Sequence, residues 1–221
     1  MVVAVQAQLI DDFSGDLSAY TSTVILDANG GGANTASWQI TGETLELNTT
    51  VYDGIEQYAM IRSGLTLDVG YEVQVDLSHT AASQDLGLYV GGTIPVAGTR
   101  QDYVAMYARG DGNLYSRGFD GTTEYGLAGS GIQTYDQLFI ARTDVNTYEA
   151  GWYSGGVRSI TVTRTPTTAN DGVVVGFYAD VRAAGVLGNL DNLTIAPIPE
   201  PSTFALAGLG IAGLLVFRRR Q

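Results

Sequence analysis

The sequence predicts an all-β protein: a two-sheet antiparallel sandwich followed by a short hydrophobic helix at the C-terminus. Three observations lead there. Between Leu9 and Ala196 no apolar stripe of period 3.6 runs through three turns. Alternation of period two recurs instead, most plainly in Tyr71-Glu72-Val73-Gln74-Val75-Asp76-Leu77-Ser78, whose odd positions are apolar and even positions polar. Such a strand buries one face and wets the other, which is an antiparallel habit. Clusters of Gly, Asn and Asp separate the runs, and these residues supply turns.

Taken in order, residues 9–13 open the set, and the glycine-rich stretch 27–36 is a loop. Residues 38–41 and 44–49 form a hairpin around Gly42-Glu43. Strands follow at 58–62, 71–79 and 86–90. Residues 102–108 and 114–119 flank Arg109-Gly110-Asp111-Gly112-Asn113, a strong hairpin signal. The Arg-Gly-Asp within it is ordinary turn composition. Residues 137–143 and 147–153 flank a second turn, Asp144-Val145-Asn146. Runs at 157–163, 173–179 and 189–195 complete about a dozen short strands, a number that suits a sandwich. No internal repeat is visible, and no linker precedes Pro197.

The last residues have a different character. The run 204–217 holds no charge and no side-chain hydrogen-bonding group. As a helix it would span about 21 Å. With Pro201, Ser202 and Thr203 it reaches the lower limit of a membrane span, roughly 17 residues. Arg218, Arg219 and Arg220 follow at once and favour the cytoplasmic side. The reading is a C-terminal anchor over 201–217 with residues 1–200 outside; the alternative is a core helix with a basic end.

Pro199-Glu200-Pro201, the hydrophobic run and the arginine cluster, in that order, resemble the PEP-CTERM sorting signal of Gram-negative bacteria. The resemblance covers residues 197–221. It implies recognition by an exosortase, processing at or near Pro199-Glu200-Pro201, and transient anchorage in the inner membrane. Delivery to the cell surface or extracellular matrix would follow. The tail is then an address, set apart from the fold. Residues 1–7 look like the remnant of a signal peptide, with Val5-Gln6-Ala7 as its cleavage pattern and Gln8 as the mature start.

That leaves 8–196 as one domain. Hydrophobic residues make up 45% of the chain, enough for a real core, and the absence of cysteine rules out disulfides. The formal charge of −12 contains no lysine and becomes −15 without the three terminal arginines. Such a surface repels nucleic acid and anionic lipid. One histidine and no cysteine argue against a transition-metal site.

The body carries weak signals whose order matters: Asp11-Asp12-Phe13-Ser14-Gly15 at its start, then Trp38-Gln39-Ile40 and Leu45-Glu46-Leu47. Gly176-Phe177-Tyr178-Ala179 and Leu190-Asp191-Asn192-Leu193-Thr194-Ile195 come late. This order resembles the concanavalin A-like lectin/glucanase jelly roll. The resemblance implies a curved sandwich, a glycan on the concave sheet, and a calcium ion joining first and last strands.

Strict alternation puts Asp191 on one face with Leu193 and Ile195, and Asp11 on one face with Leu9 and Phe13. If the apolar members point inward, Asp11 and Asp191 start inward too and need a cation or amide donors. Asp191 with Asp11 or Asp12 is thus a calcium candidate; capping of turns is the alternative reading. For sugar binding, Tyr103, Tyr107, Tyr115, Trp152 and Tyr153 offer stacking surfaces, against the alternative of ordinary core. Catalysis is not expected. The family 16 glucanase motif Glu-x-Asp-x-Glu is absent, Glu43 and Glu46 face opposite ways on a strand, and Glu72 and Asp76 stand about 13 Å apart. His79 has no nucleophile arranged beside it. The sequence therefore reads as an exported, exosortase-sorted, non-catalytic polysaccharide binder. The alternatives are a structural or adhesive matrix protein and a divergent glycoside hydrolase.

Overall fold

The computed structural model describes residues 6–28, 36–79, 84–167 and 171–199. No helix occurs among them, and none long and apolar enough to cross a membrane. The expected hydrophobic helix, and Glu200, Pro201, Arg218, Arg219 and Arg220 of the sorting signal, lie outside the described residues.

The chain starts with β1 (Gln8–Asp11) and β2 (Tyr20–Asp27). β3 (Ala36–Thr41) and β4 (Thr44–Thr49) form a two-residue hairpin. Gly42 and Glu43 both have positive φ there, 58° and 63°, as the tight primed turn requires. β5 (Glu56–Arg62), β6 (Tyr71–His79) and β7 (Asp85–Gly91) come next. β8 (Tyr103–Arg109) and β9 (Asn113–Asp120) meet at Gly112, φ 81°, whose amide donates to the Arg109 carbonyl (2.8 Å). Two short strands, β10 (Thr123–Glu124) and β11 (Ala128–Ile132), both pair with β9. β12 (Gln137–Asp144), β13 (Thr147–Ser154) and β14 (Val157–Arg164) form a meander. β15 (Val174–Val181) and the long β16 (Gly185–Pro197) complete the set.

Two eight-stranded antiparallel sheets result. The first runs β14-β13-β12-β6-β16-β4-β3, with β1 on β16. The second runs β10-β9-β8-β7-β15-β5-β2, with β11 on β9. Between them lies the main core: Val73, Val75, Leu77, Leu138 and Ile140 from the first, Met60, Leu88, Met106 and Phe177 from the second. Each such side chain contributes about 1.5–3 kcal/mol by leaving water. Alternation is what fills this core: in β6 Val73, Val75 and Leu77 face inward, and Tyr71 packs half-buried against the same core.

The far face of the second sheet is not wet. It carries a second apolar cluster that includes Tyr89, Tyr103, Tyr107, Phe119 and Tyr178. The far face of the first sheet is mixed, with a small cluster of Phe139, Ala141 and Tyr153 joined by Ile198. Glu72, a wet position by alternation, is fully buried there and bound by Tyr153, Gln74 and Arg158.

Candidate functional site

Cross-strand register builds the far face of the second sheet in four rows. Val174, Gly91, Tyr103 and Phe119 stand side by side in the first. Ile61, Gly176, Tyr89, Ala105 and Arg117 form the second. Ala59, Tyr178, Gly87, Tyr107 and Tyr115 form the third. Gln57, Asp180, Asp85 and Arg109 form the fourth. Each tyrosine thus has a glycine or alanine beside it, Tyr115 through Gly129 of β11.

The rings make a continuous run. Phe119 and Tyr103 are 5.3 Å apart between centroids, Tyr103 and Tyr178 6.3 Å, Tyr178 and Tyr107 5.2 Å, Tyr107 and Tyr115 6.0 Å. Offset and tilted rings at these spacings attract beyond their buried area. A guanidinium closes each end: Arg100 lies 4.8 Å from the Phe119 centroid and Arg109 4.6 Å from that of Tyr115.

Two features set this layer apart from an ordinary core. The hydroxyls of Tyr103 and Tyr107 are buried and have no hydrogen-bond partner among the described residues. A buried hydroxyl left without a bond costs about 1–3 kcal/mol. Burial also pushes both phenols well above their ordinary pKa, so both remain donors. The second feature is charge. Asp85 and Asp180 are direct cross-strand neighbours with no exposed surface. Arg109 grips Asp85 with two bonds of 2.7 and 3.0 Å, and Arg182 grips Asp180 with two of 3.0 and 2.9 Å. Gln57 Nε2 donates to Asp180 at 2.9 Å. Desolvation, chiefly, raises the pKa of Asp85; its bond to Arg109 opposes the shift and the nearby Asp180 adds to it.

Residues 92–102, between β7 and β8, form a strap across the same face. Its base is closed by Gly92 N–H donating to Asp102 O (2.8 Å). Its tip reaches the sheet's other edge, where Gly98 N–H donates to Val24 O (2.9 Å). Between strap and sheet lies a cleft of about 450 Å³, with Ile94 and Pro95 from the strap and Thr23, Ile61 and Val174 from the sheet. That volume falls in the range of small-ligand sites. Ile61 and Val174 belong to the aromatic cluster, so cleft and ring layer are continuous.

The structure divides the residues that sequence reasoning offered as a sugar platform. Tyr103, Tyr107 and Tyr115 do share one face, but Tyr103 and Tyr107 have no exposed surface. Trp152 packs against the main core instead. Tyr153 sits on the other sheet beside Phe139, with its hydroxyl on Glu72 (2.5 Å). Tyr89 and Tyr178 were missed, although Tyr alternating with Gly in Gly87-Leu88-Tyr89 and Gly176-Phe177-Tyr178 is a visible sign of rings laid over glycine.

The proposed calcium ligands do not converge. β1 does pair with β16, placing Asp11 opposite Leu193, but irregularities upset the alternation in both strands. In β16 a register shift lies between Asp191 and Thr194, with Asn192 at φ 51°. Leu190 and Leu193 both reach the core, so Asp191 turns outward opposite Asp76. In β1, Ile10 packs inward and Leu9 is exposed. Asp11 accepts bonds from the Phe13 amide and the Tyr20 hydroxyl, both 2.9 Å, with Arg62 Nε 3.6 Å away. Asp12 accepts from the amide and hydroxyl of Ser14, which lower its pKa. Asp191 accepts from the Asn192 amide (2.7 Å). Among the described residues no group of three or more His, Cys, Asp or Glu is placed to hold a metal. Each of these aspartates accepts a bond from a main-chain amide close by in sequence.

Solved structures share the architecture at low identity. The VIP36 exoplasmic/lumenal domain in its Ca2+-bound form aligns with a TM-score of 0.57 at 12% identity, over 89% of this chain and 91% of that one. LamA of Zobellia galactanivorans, in complex with laminaritriose and laminaritetraose, gives 0.54 at 8%, over 87% and 98%. A Bacillus subtilis protein of unknown function with a galectin-like fold gives 0.55 at 10%, over 89% and 98%. No curated protein sequence matches. Residues 197–220 match the model of the PEP-CTERM protein-sorting motif. The chain is thus a jelly-roll sandwich like those of lectins and glucanases, ending in a PEP-CTERM sorting motif.

Proposed function

We propose that the chain is an exported, exosortase-sorted protein whose second sheet binds polysaccharide on its far face without cleaving it. The observation that carries this reading is the cleft of about 450 Å³ between strap and sheet, which borders the layer of rings at Ile61 and Val174. Its apolar walls suit the C–H faces of a sugar, and Thr21 and Thr23 at the same cleft offer hydroxyls for hydrogen bonds. Sugar-bound structures among those of the same fold favour it too. Calcium has no part in this reading.

Sorting follows from the tail. An exosortase is the processing partner, the inner membrane the transient one, and the cell surface or extracellular matrix the destination. Exported from a Gram-negative cell, the acidic domain would meet polysaccharide there.

One observation favours a hydrolase instead: Asp85 and Asp180 are adjacent carboxylates on the same face. Against it, both are clamped by arginine forks, and neither oxygen pair is left open for a sugar. The test is a polysaccharide array probed with the full chain in detergent, with and without chelator, alongside an assay for new reducing ends. Chelator-insensitive binding without new ends is the expected result. A correctly folded chain that binds no polysaccharide would end the glycan reading in favour of a structural or adhesive matrix protein. New reducing ends that vanish in Asp85→Asn would replace it with hydrolysis.

A further inference from the structure

We propose that the end of the sandwich from which the sorting motif leaves is a docking surface for the exosortase that cuts it; this rests on the sorting reading above. Arg142 builds that end. Its side chain is buried, and its guanidinium donates to main-chain carbonyls on three loops: Leu67 (3.1 Å), Val145 (2.9 and 3.2 Å) and Asp171 (2.5 Å). Main-chain bonds tighten the bundle, from Leu67 N–H to Gly172 O and from Gly70 N–H to Arg142 O, both 2.8 Å. Gly172, at φ 61°, permits the close approach: a Cβ there would fall 2.7 Å from the Leu67 carbonyl oxygen.

Each loop turns an aspartate and a valine outward: Asp68 with Val69, Asp144 with Val145, and Asp171 with Val173. The valines are 44%, 58% and 42% exposed. Exposed apolar groups rimmed by polar ones mark an interaction surface. Within residues 63–70, 142–147 and 171–173 the charged residues are these three aspartates and the buried Arg142, whose N–H groups are spent on carbonyls.

The tail leaves from the same place. Ile198 donates its amide to the Gly70 carbonyl (2.9 Å), next to Val69. Pro199-Glu200-Pro201 follows directly, so the residues to be cut lie at most about 10 Å from this anchor. A protease is wider than that, since even a 100-residue domain has a radius of gyration of about 13 Å. An enzyme that closes on Pro199-Glu200-Pro201 therefore meets Val69, Val145 and Val173. The apolar run starts six residues beyond Ile198, so in a membrane it holds this end within about 20 Å of the bilayer. Three carboxylates oppose an anionic lipid surface, which favours the enzyme over the membrane as the occupant. The complementary surface is an apolar patch rimmed by arginine or lysine, beside the groove that takes the motif.

The test follows processing of the full chain by pulse-chase in a Gram-negative host whose exosortase also processes a second PEP-CTERM protein as a control. Val69→Ser/Val145→Ser/Val173→Ser should slow conversion to the mature length about fivefold or more, and so should Asp68→Lys/Asp171→Lys. Both should keep the parent's melting temperature. Val157→Ser, exposed at the opposite end of β13, should convert at the parent's rate. Parental rates in both loop variants would overturn the inference and leave the sorting reading standing. Faster conversion of the lysine variant would assign the surface to the anionic membrane and overturn it too. A parent chain left uncut while the control is processed would overturn both the inference and the sorting reading.

Discussion

Tyr178 and Tyr107 meet ring to ring across an intervening strand, 5.2 Å between centroids, over the position that Gly87 leaves empty. The contact exists only because β7 has no side chain there. A Cβ on Gly87 would fall 2.1 Å from the Met106 carbonyl oxygen and 2.6 Å from Tyr107 Cα. Backbone cannot yield as a side-chain tip can. Gly87→Ala should therefore destabilise the protein by about 2–3 kcal/mol, the upper part of the overpacking range. Gly15→Ala, which meets nothing within 4 Å, serves as the control and should stay within about 0.5 kcal/mol. Urea melts of both variants decide it, and equal midpoints would mean that the rings do not need the gap.

Glu72 is a buried carboxylate held from three sides: Tyr153 Oη at 2.5 Å, Gln74 Nε2 at 2.6 Å and Arg158 Nε at 3.0 Å. Arg158 also stacks over Phe139, 4.0 Å from its centroid. Removing only the negative charge leaves this guanidinium short of a partner, with Glu149 remaining at 2.9 Å. Glu72→Gln is expected to cost about 3 kcal/mol, as one-sided breaks of buried pairs do. Glu72→Gln with Arg158→Met should recover part of that loss. A single-variant loss below about 1 kcal/mol would show the pair to be solvated in solution.

The strand plan was legible because it rests on alternation and turn chemistry, both local. Tyr71–His79 has the bounds that its pattern gives, and the Gly42-Glu43, Asp111-Gly112 and Asp144-Asn146 turns all join hairpins. β2 was missed because Tyr20-Thr21-Ser22-Thr23 offers hydroxyls where a core face needs apolar groups; as an edge strand it needs few. β11, Ala-Gly-Ser-Gly-Ile, has almost no side chains to alternate. Asp191 leaves the inward face through a register shift. Asp-Asn tolerates the left-handed turn at Asn192, but nothing local says that the turn is taken. Tyr103, Tyr107 and Tyr115 were legible as one face. Whether such a face is open or covered depends on the distant strap at residues 92–102, which no strand pattern encodes.

His79 should make stability depend on pH. Burial, chiefly, lowers its pKa from 6.5 to about 4, and the Gln84 backbone and Asp111 counter this only in part. The unfolded chain takes the proton near 6.5 while the folded one refuses it until about 4. The contribution of neutral His79 is therefore whole above pH 6.5 and lost as pH falls to about 4, up to about 3 kcal/mol. Denaturant melts from pH 7 to pH 4 should steepen accordingly, and His79→Asn should remove that slope. A variant whose stability falls in parallel with the parent would assign the slope to the carboxylates.

The sorting motif begins inside the fold, and this bears on where it is cut. Pro197 is the last residue of β16 and pairs with Tyr71. Ile198 donates its amide to the Gly70 carbonyl (2.9 Å) and packs on Phe139, Ala141 and Tyr153. Both lie within the matched residues 197–220, so the motif's first two residues are also the sandwich's last. Stopping the chain after Ala196 gives up one backbone hydrogen bond and the cover of an apolar cluster. The first costs about 1 kcal/mol and the second about as much again. Stopping after Pro199, which is exposed, gives up neither. The shorter chain should melt about 2 kcal/mol less stable, and the longer one should match the parent. Processing that spares the fold must then cut after Ile198. The mass of the mature protein's C-terminal peptide reads this directly: an end at Pro199 or beyond is expected. An end at Ala196 in a domain of undiminished stability would mean that Ile198 contributes nothing to the sandwich.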